Sequence, residues 1–272
     1  MPTISINQTN YYYENAGFGE PLLLLHGFTG STANWQRHVP VLAAHYQVIA
    51  VDILGHGQTA VPTDPTRYQM PTVAADIVAL LAALDINSCH LLGYSMGGRL
   101  SLYLAAHYPH LWRSLILESS SPGLETAVER EERIARDNGL ADRIERDGIV
   151  AFVDFWENIG LFASQRQLET AVRQTLRQQR LRNSPLGLAN SLRGMGTGQQ
   201  PSLWSHLSQL RLHTLLLVGS LDSKFVAINK QIARQMPNVQ CRIILNAGHT
   251  VHLEKPDEFC QNIFDFLSEE RR

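Results

Sequence analysis

Gly93-Tyr94-Ser95-Met96-Gly97 follows directly on the apolar run Cys89-His90-Leu91-Leu92 and opens a stretch of helical spacing, Arg99–His107. A single serine at the tip of a sharp strand-to-helix turn is the arrangement of a nucleophile elbow. The glycines at 93 and 97 are what such a reversal demands, because a side chain there would meet the crossing chain and the serine's strained backbone needs the room. Taken alone, a G-x-S-x-G pattern recurs by chance. Here it has its strand, its helix and two partners further along the chain.

Outward from the elbow, short apolar runs alternate with helical patterns. Leu22–Leu25, Val48–Val51, His90–Leu92, Ser114–Leu117, Thr214–Val218 and Arg242–Leu245 read as buried strands. Thr72–Leu84, Met96–His107, Lys224–Gln235 and Pro256–Leu267 carry helical spacing. That alternation predicts an α/β fold with a mostly parallel, doubly wound sheet. It lapses from Pro122 to about Leu210, where only helical stretches are found: Ala127–Arg146, Gly148–Glu157, Ser164–Arg182 and Leu186–Leu192. The expectation is therefore a core of residues 1–121 and 211–272 interrupted by a helical cap, 122–210. Ligands of open α/β sheets bind beyond the carboxyl ends of the strands, so the cap is expected to close over Ser95.

Two further strand ends carry the partners a serine needs. Leu215-Leu216-Leu217-Val218 leads into Gly219-Ser220-Leu221-Asp222, and Ile243-Ile244-Leu245 leads into Asn246-Ala247-Gly248-His249. The order serine, acid, histidine is the triad order of this kind of sheet. A serine hydroxyl does not ionise near neutral pH without a base, His249 has the pKa range to serve, and Asp222 would hold its tautomer. The developing oxyanion needs two donors: the Met96 N–H at the start of the elbow helix, and the Phe28 N–H in the loop His26-Gly27-Phe28-Thr29-Gly30. Gly194-Met195-Gly196-Thr197-Gly198 resembles a phosphate loop but follows no strand, and reads as a hinge or cap connection.

Composition narrows the class. The 272 residues suffice for one domain with an insertion, and 44% hydrophobic against 18% charged residues is ordinary for a globular protein. A net charge of −2 offers no field for nucleic acid or a membrane surface. Cys89, Cys241 and Cys260 are widely spaced and odd in number, which reads as reduced core cysteines and a cytoplasmic location. No signal peptide, spanning segment, metal motif or nucleotide motif is seen, so no cofactor is expected. A monomer or small homo-oligomer fits. Twenty of the 23 basic residues are arginine, and Ser164–Trp204 holds six arginines against one acid, Glu169. Arginine's planar fork grips carboxylates.

On the residues alone, the triad permits ester, amide, thioester or C–C bond chemistry. Several segments add more: Leu25–Ser31, Gly93–Arg99, Ser121-Pro122-Gly123-Leu124, Ser191–Gly198, Asp222-Ser223-Lys224-Phe225 and Gly248-His249. On these the chain resembles the 2-succinyl-6-hydroxy-2,4-cyclohexadiene-1-carboxylate synthases of menaquinone and phylloquinone biosynthesis, within the α/β-hydrolase fold. The resemblance implies a lyase: Ser95, activated by His249 and Asp222, removes a ring proton beside a ketone as a base rather than a nucleophile, and pyruvate leaves. It implies a small tricarboxylate substrate, with Arg99, Arg133 and Arg180 as carboxylate ligands and Tyr94 and Trp156 in the site. Two other readings stand beside it. One is a carboxylesterase or C–C bond hydrolase of the same fold; the other is a non-catalytic receptor for a small ligand.

Overall fold

The computed structural model describes residues 2–269. Eight strands form one sheet in the order β1-β2-β4-β3-β5-β6-β7-β8: β1 Thr3–Ile6, β2 Thr9–Ala16, β3 Pro21–Leu25, β4 Gln47–Val51, β5 Cys89–Tyr94, β6 Trp112–Glu118, β7 His213–Gly219 and β8 Val239–Ile244. From β4 to β8 all neighbours are parallel, whereas β1–β2 and β2–β4 are antiparallel. The helices are α1 Val39–Leu42, α2 Met70–Ala83, α3 Met96–His107, α4 Ala127–Trp156, α5 Thr170–Leu181, α6 Pro185–Met195, α7 Ser223–Gln235, α8 Val251–Glu254 and α9 Pro256–Glu269.

The unbroken leucines of β3 show why such a run makes a central strand. Successive side chains point to opposite faces. Leu23 and Leu25 pack with Val73, Ile77 and Leu80 of α2 and Leu100 and Leu104 of α3. Leu22 and Leu24 pack on the other face with Leu42, Phe259, Ile263 and Phe266 of α1 and α9. Both faces are covered, so every position favours an apolar side chain, each contributing about 1.5–3 kcal/mol by burial.

The β1–β2 hairpin is not foreseen by the apolar pattern. Its second strand, Thr9-Asn10-Tyr11-Tyr12-Tyr13-Glu14-Asn15-Ala16, reads as polar. Tyr11 is nevertheless fully buried, because its hydroxyl donates to Asp76 Oδ2 at 2.7 Å. That carboxylate, buried in α2, also accepts from Arg67 at 2.8 Å and from Asn7 at 2.8 Å. At the other edge β8 begins three residues earlier than expected and stops short of Leu245, which is 70% exposed. Edge strands are buried on fewer sides, so hydropathy marks their limits poorly.

Between β6 and β7 the described chain is helical or irregular. α4 starts at a capping box, in which Thr126 and Glu129 bond each other's backbone N–H. It kinks at Gly148 (φ 79°, ψ 173°), the junction between the two helices expected there. Ser164–Arg182, expected as one helix, divides into 3₁₀ turns over Gly160–Gln167 and then α5. α4 and α6 share an apolar core of Ala141, Ile144, Phe152, Val153, Leu188, Ala189 and Leu192. The glycine-rich run after α6 is a packed connection: a Cβ at Gly194 would meet Tyr68, and one at Gly198 would meet Arg130 and Ile134 of α4.

Gly148 tests whether the kink is a backbone requirement. A Cβ there meets nothing within 4 Å, but its dihedrals lie in a region that other residues rarely occupy. Gly148→Ala is expected to destabilise the protein by about 1–3 kcal/mol, read as a lowered thermal midpoint. An unchanged midpoint would show that the kink relaxes freely.

Candidate active site

β3 pairs with β4 on one side and β5 on the other, so the chain reverses its winding direction at β3. The crevice beyond the carboxyl ends of strands at such a point is where a ligand fits. Ser95 follows β5, the His26–Gly30 loop follows β3, Asp222 follows β7 and His249 follows β8. Parallel strands thus deliver four separated segments to one end of the sheet.

Ser95 has φ 50° and ψ −107°, a conformation rare outside glycine. Its N–H is tied to Glu118 O of β6 at 2.8 Å, and Arg99 N–H closes the first helical bond on Ser95 O at 2.9 Å. A Cβ at Gly97 would collide with the Leu25 and His26 carbonyls. A Cβ at Gly93 would collide with Ser101 and Gly97. The close crossing of strand and helix holds the serine in its strained form.

His249 Nε2 lies 3.0 Å from Ser95 Oγ, placed to accept a hydrogen bond from the hydroxyl. On its other side, Nδ1–H donates to Asp222 Oδ2 at 2.6 Å. Asp222 is held in turn by the Phe225 N–H on its Oδ1 at 3.3 Å, as the cap of α7. His249 and Asp222 are almost fully buried. The three side chains form one continuous hydrogen-bonded chain, the geometry through which a serine proton can pass to an imidazole held by a carboxylate.

Phe28 and Met96 line the cavity in front of Ser95. Met96 is the first residue of α3, so its N–H has no acceptor within the helix. The Phe28 N–H has no protein acceptor among the described residues. The loop that carries Phe28 is clamped by His26, whose Nδ1–H donates to Gly27 O at 2.8 Å and whose Nε2 accepts from Ile53 N–H at 2.9 Å. Both ring nitrogens are used by a neutral imidazole, which fixes the tautomer.

The cavity measures about 770 Å³ and is roofed by the helical segment. Arg99, Arg133, Tyr94 and Trp156 all line it. Arg99 donates to Met195 O at 2.8 Å and to Gln200 Oε1 at 3.0 Å, without a carboxylate in contact. Burial, with the charge of Arg133 adding to it, lowers the Arg99 pKa to about 10. Arg133 pairs with Asp137 at 2.8 Å. The buried Trp156 Nε1 has no protein acceptor. Tyr94 turns its hydroxyl away, 2.8 Å from Thr250 Oγ1, and burial followed by the Glu118 charge raises its pKa above the ordinary range.

Arg180 is placed differently. It does not line the cavity but lies beside Phe162, which does. The arginine excess of Ser164–Trp204 is also smaller in three dimensions than in sequence. Arg177 pairs with Asp154 and Glu157, and Arg193 with Asp142 and Glu145, all acids of α4 or its end. Sequence reasoning missed Glu118, fully buried at the end of β6, whose carboxylate accepts both the N–H and the Nδ1–H of His252 at 2.8–3.0 Å. Only its position beside the serine strand's end hinted at it.

Comparison with known proteins places this geometry among relatives. The family model for the α/β hydrolase fold matches residues 20–256. A Bacillus subtilis (strain 168) protein assigned as 2-succinyl-6-hydroxy-2,4-cyclohexadiene-1-carboxylate synthase is 44% identical, covering 94% of this chain and 93% of its own. The synthase of that name from Serratia proteamaculans (strain 568) is 32% identical, over 90% and 92% of the two chains. Among solved structures, MenH from S. aureus superposes with a TM-score of 0.92 at 38% identity, over 96% of this chain and 99% of the other. A thermophilic esterase from Thermogutta terrifontis also superposes, with a TM-score of 0.87 at 26% identity, over 100% and 99%.

The buried histidines generate a pH dependence. Burial lowers the pKa of His26 to about 3, with His56 adding to it, that of His38 to about 3, with His252 adding, and that of His56 to about 4. Unfolded histidines take up protons near pH ~6.5, so between there and about pH 4 the unfolded chain binds more protons and folding weakens as pH falls. Asp52 acts oppositely, since burial raises its pKa to about 6 and the folded state then holds the extra proton. Three groups outweigh one. The thermal midpoint is expected to fall on acidification from pH 7 to 4.5, with a shallower slope in His56→Gln; a flat or inverted profile would contradict this.

Proposed function

The chain belongs to the 2-succinyl-6-hydroxy-2,4-cyclohexadiene-1-carboxylate synthase family of the α/β-hydrolase fold, and from that premise we propose which of its residues perform the reaction. It is a lyase of menaquinone or phylloquinone biosynthesis. It eliminates pyruvate from 2-succinyl-5-enolpyruvyl-6-hydroxy-3-cyclohexene-1-carboxylate. The observation that carries the assignment of residues is the pairing, in one cavity, of an aligned Ser95–His249–Asp222 relay with the arginines Arg99 and Arg133. A cavity wall that desolvates Arg99 without a carboxylate partner, with Arg133 beside it, favours an anionic ligand, since a ligand carboxylate relieves the cost of desolvating the guanidinium.

In this reading His249 draws the proton from Ser95 Oγ, and the oxygen takes the acidic ring proton beside the succinyl ketone. The electron pair moves into the carbonyl, whose oxygen meets the Phe28 and Met96 N–H groups. Collapse of that enolate forms the second ring double bond and breaks the C–O bond to the enolpyruvyl group, which leaves as the enolate of pyruvate and takes up the proton that His249 had received from Ser95, so the imidazole returns to its neutral form. Ser95 ends the cycle as a hydroxyl, with no acyl-enzyme formed. Arg99 and Arg133 bind two carboxylates, Trp156 Nε1 supplies a neutral donor, and Tyr94 shapes the wall beside the serine. Arg180 is the third carboxylate ligand. The three unbridged cysteines support a cytoplasmic location, and among the described residues no helix is long and apolar enough to cross a membrane.

An esterase is the competing reading, because a solved esterase superposes on the same fold. Pyruvate release followed together with diene absorbance separates the two. Matched formation of both products is expected from the wild type, with kcat/KM reduced by about a thousandfold or more in Ser95→Ala. Arg99→Gln is expected to lose about a hundredfold in kcat/KM by leaving a substrate carboxylate unpaired. Turnover of simple aryl esters with a burst, and no pyruvate, would remove the lyase assignment.

A further inference from the structure

Arg180 is 5% exposed, and among the described residues no carboxylate pairs with it. Its Nη2 donates to Gln165 Oε1 at 3.2 Å, its Nε has no protein partner, and its guanidinium sits 5.0 Å from the Phe162 ring centroid. Burial pushes its pKa down. A desolvated cation held only by a neutral amide and an aromatic face is costly, and what it lacks is an anion. Phe162 also lines the cavity, where its ring centroid is 6.1 Å from that of His249 and 5.7 Å from that of Trp156. One aromatic ring therefore separates Arg180 from the reaction space.

Gln165 does more than accept that bond. Its Nε2 donates to Thr250 Oγ1 at 2.9 Å, and the Thr250 hydroxyl is 2.8 Å from the Tyr94 hydroxyl. Thr250 follows His249 in the chain, and Tyr94 precedes Ser95. A continuous chain of side chains, Arg180–Gln165–Thr250–Tyr94, runs from the helical roof to the residues beside both catalytic atoms. The choice of amide is informative. Glutamate at 165 would satisfy Arg180 permanently, whereas glutamine holds it in place and leaves its charge available.

We infer that Gln165 is the positioning residue of a third carboxylate subsite: it keeps Arg180 in reserve behind Phe162 until a substrate carboxylate displaces the ring and takes the guanidinium from the amide. The inference rests on the lyase reading for the identity of the ligand. Once the carboxylate is bound, Gln165 remains attached to Thr250, so occupation of the subsite is transmitted to the Tyr94 side of the elbow.

Gln165→Glu tests this with two readouts of opposite sense. Giving the buried cation a resident partner is expected to raise the thermal midpoint by a few degrees. The same change is expected to raise KM for the enolpyruvyl substrate by about tenfold or more, with kcat within about threefold, because the internal carboxylate competes with the ligand. In an Arg180→Gln background the Glu substitution should add no further rise in KM. Gln165→Met, which removes the acceptor without adding charge, should raise KM far less than Glu. An unchanged KM in Gln165→Glu, a lowered midpoint accompanying the loss, or equal KM effects of Glu and Met would each overturn the inference. Absence of pyruvate release from the wild type would instead fail the lyase reading, while the thermal midpoints still report on the Arg180–Gln165 contact.

Discussion

The backbone of Ser95 is held at φ 50°, ψ −107° by a crossing of strand and helix too close for any side chain, and the rest of the site depends on that constraint. Such a conformation costs on the order of 1–3 kcal/mol and persists only where its surroundings over-determine it. Here the surroundings are β5, buried at every position including the glycine, the Glu118 carbonyl that takes the Ser95 N–H, and glycines 93, 97 and 98. The strain offsets nothing locally. Its return is that the hydroxyl stands clear of the sheet and the Met96 N–H, free at the helix start, faces the same space.

A second layer of structure keeps that arrangement from drifting. Glu118 binds the backbone of the serine through its carbonyl and His252 through its carboxylate, so β6 ties the elbow to α8. His252 O in turn accepts from His38 at 3.0 Å, and Trp35 lies over His252 at 4.8 Å between ring centroids. On the opposite side, the neutral His26 clamps the Phe28 loop to the chain after β4. Four of the histidines, 26, 38, 249 and 252, thus serve one region, but only His249 touches the serine. The others fix backbone.

Charge follows a different logic in the roof than in the core. Arginines facing the outside of α4 are neutralised by its acids in pairs and triads, which contribute little individually when exposed. Those turned inward are not matched in the same way: Arg99 bonds a carbonyl and an amide, and Arg180 an amide alone. Neither guanidinium meets a carboxylate among the described residues.

The local patterns were sufficient for whatever lies within a few residues of a strand end. Ser95, Asp222 and His249 each announced themselves because the chemistry of a turn at the carboxyl end of a parallel strand is written in consecutive residues: glycines for the crossing, a cap for α7, a glycine before the histidine. The buried strands were legible for a similar reason, since burial on both faces asks for an uninterrupted apolar run such as Leu22–Leu25. The first hairpin was not, because the polar tip of Tyr11 is satisfied by Asp76, 65 residues away, and no local rule contains that bond. The Glu118–His252 pair spans 134 residues and escaped notice equally. Arginine number could be counted from the sequence, but which arginine is left without an acid could not. That depends on how α4 packs against α5 and α6, and on whether Phe162 stands in front of Arg180 or beside it. Chemistry carried by adjacent residues was determined by the sequence alone; partnership between distant charges was decided by the tertiary packing, because a charge is matched by what lies nearest in space.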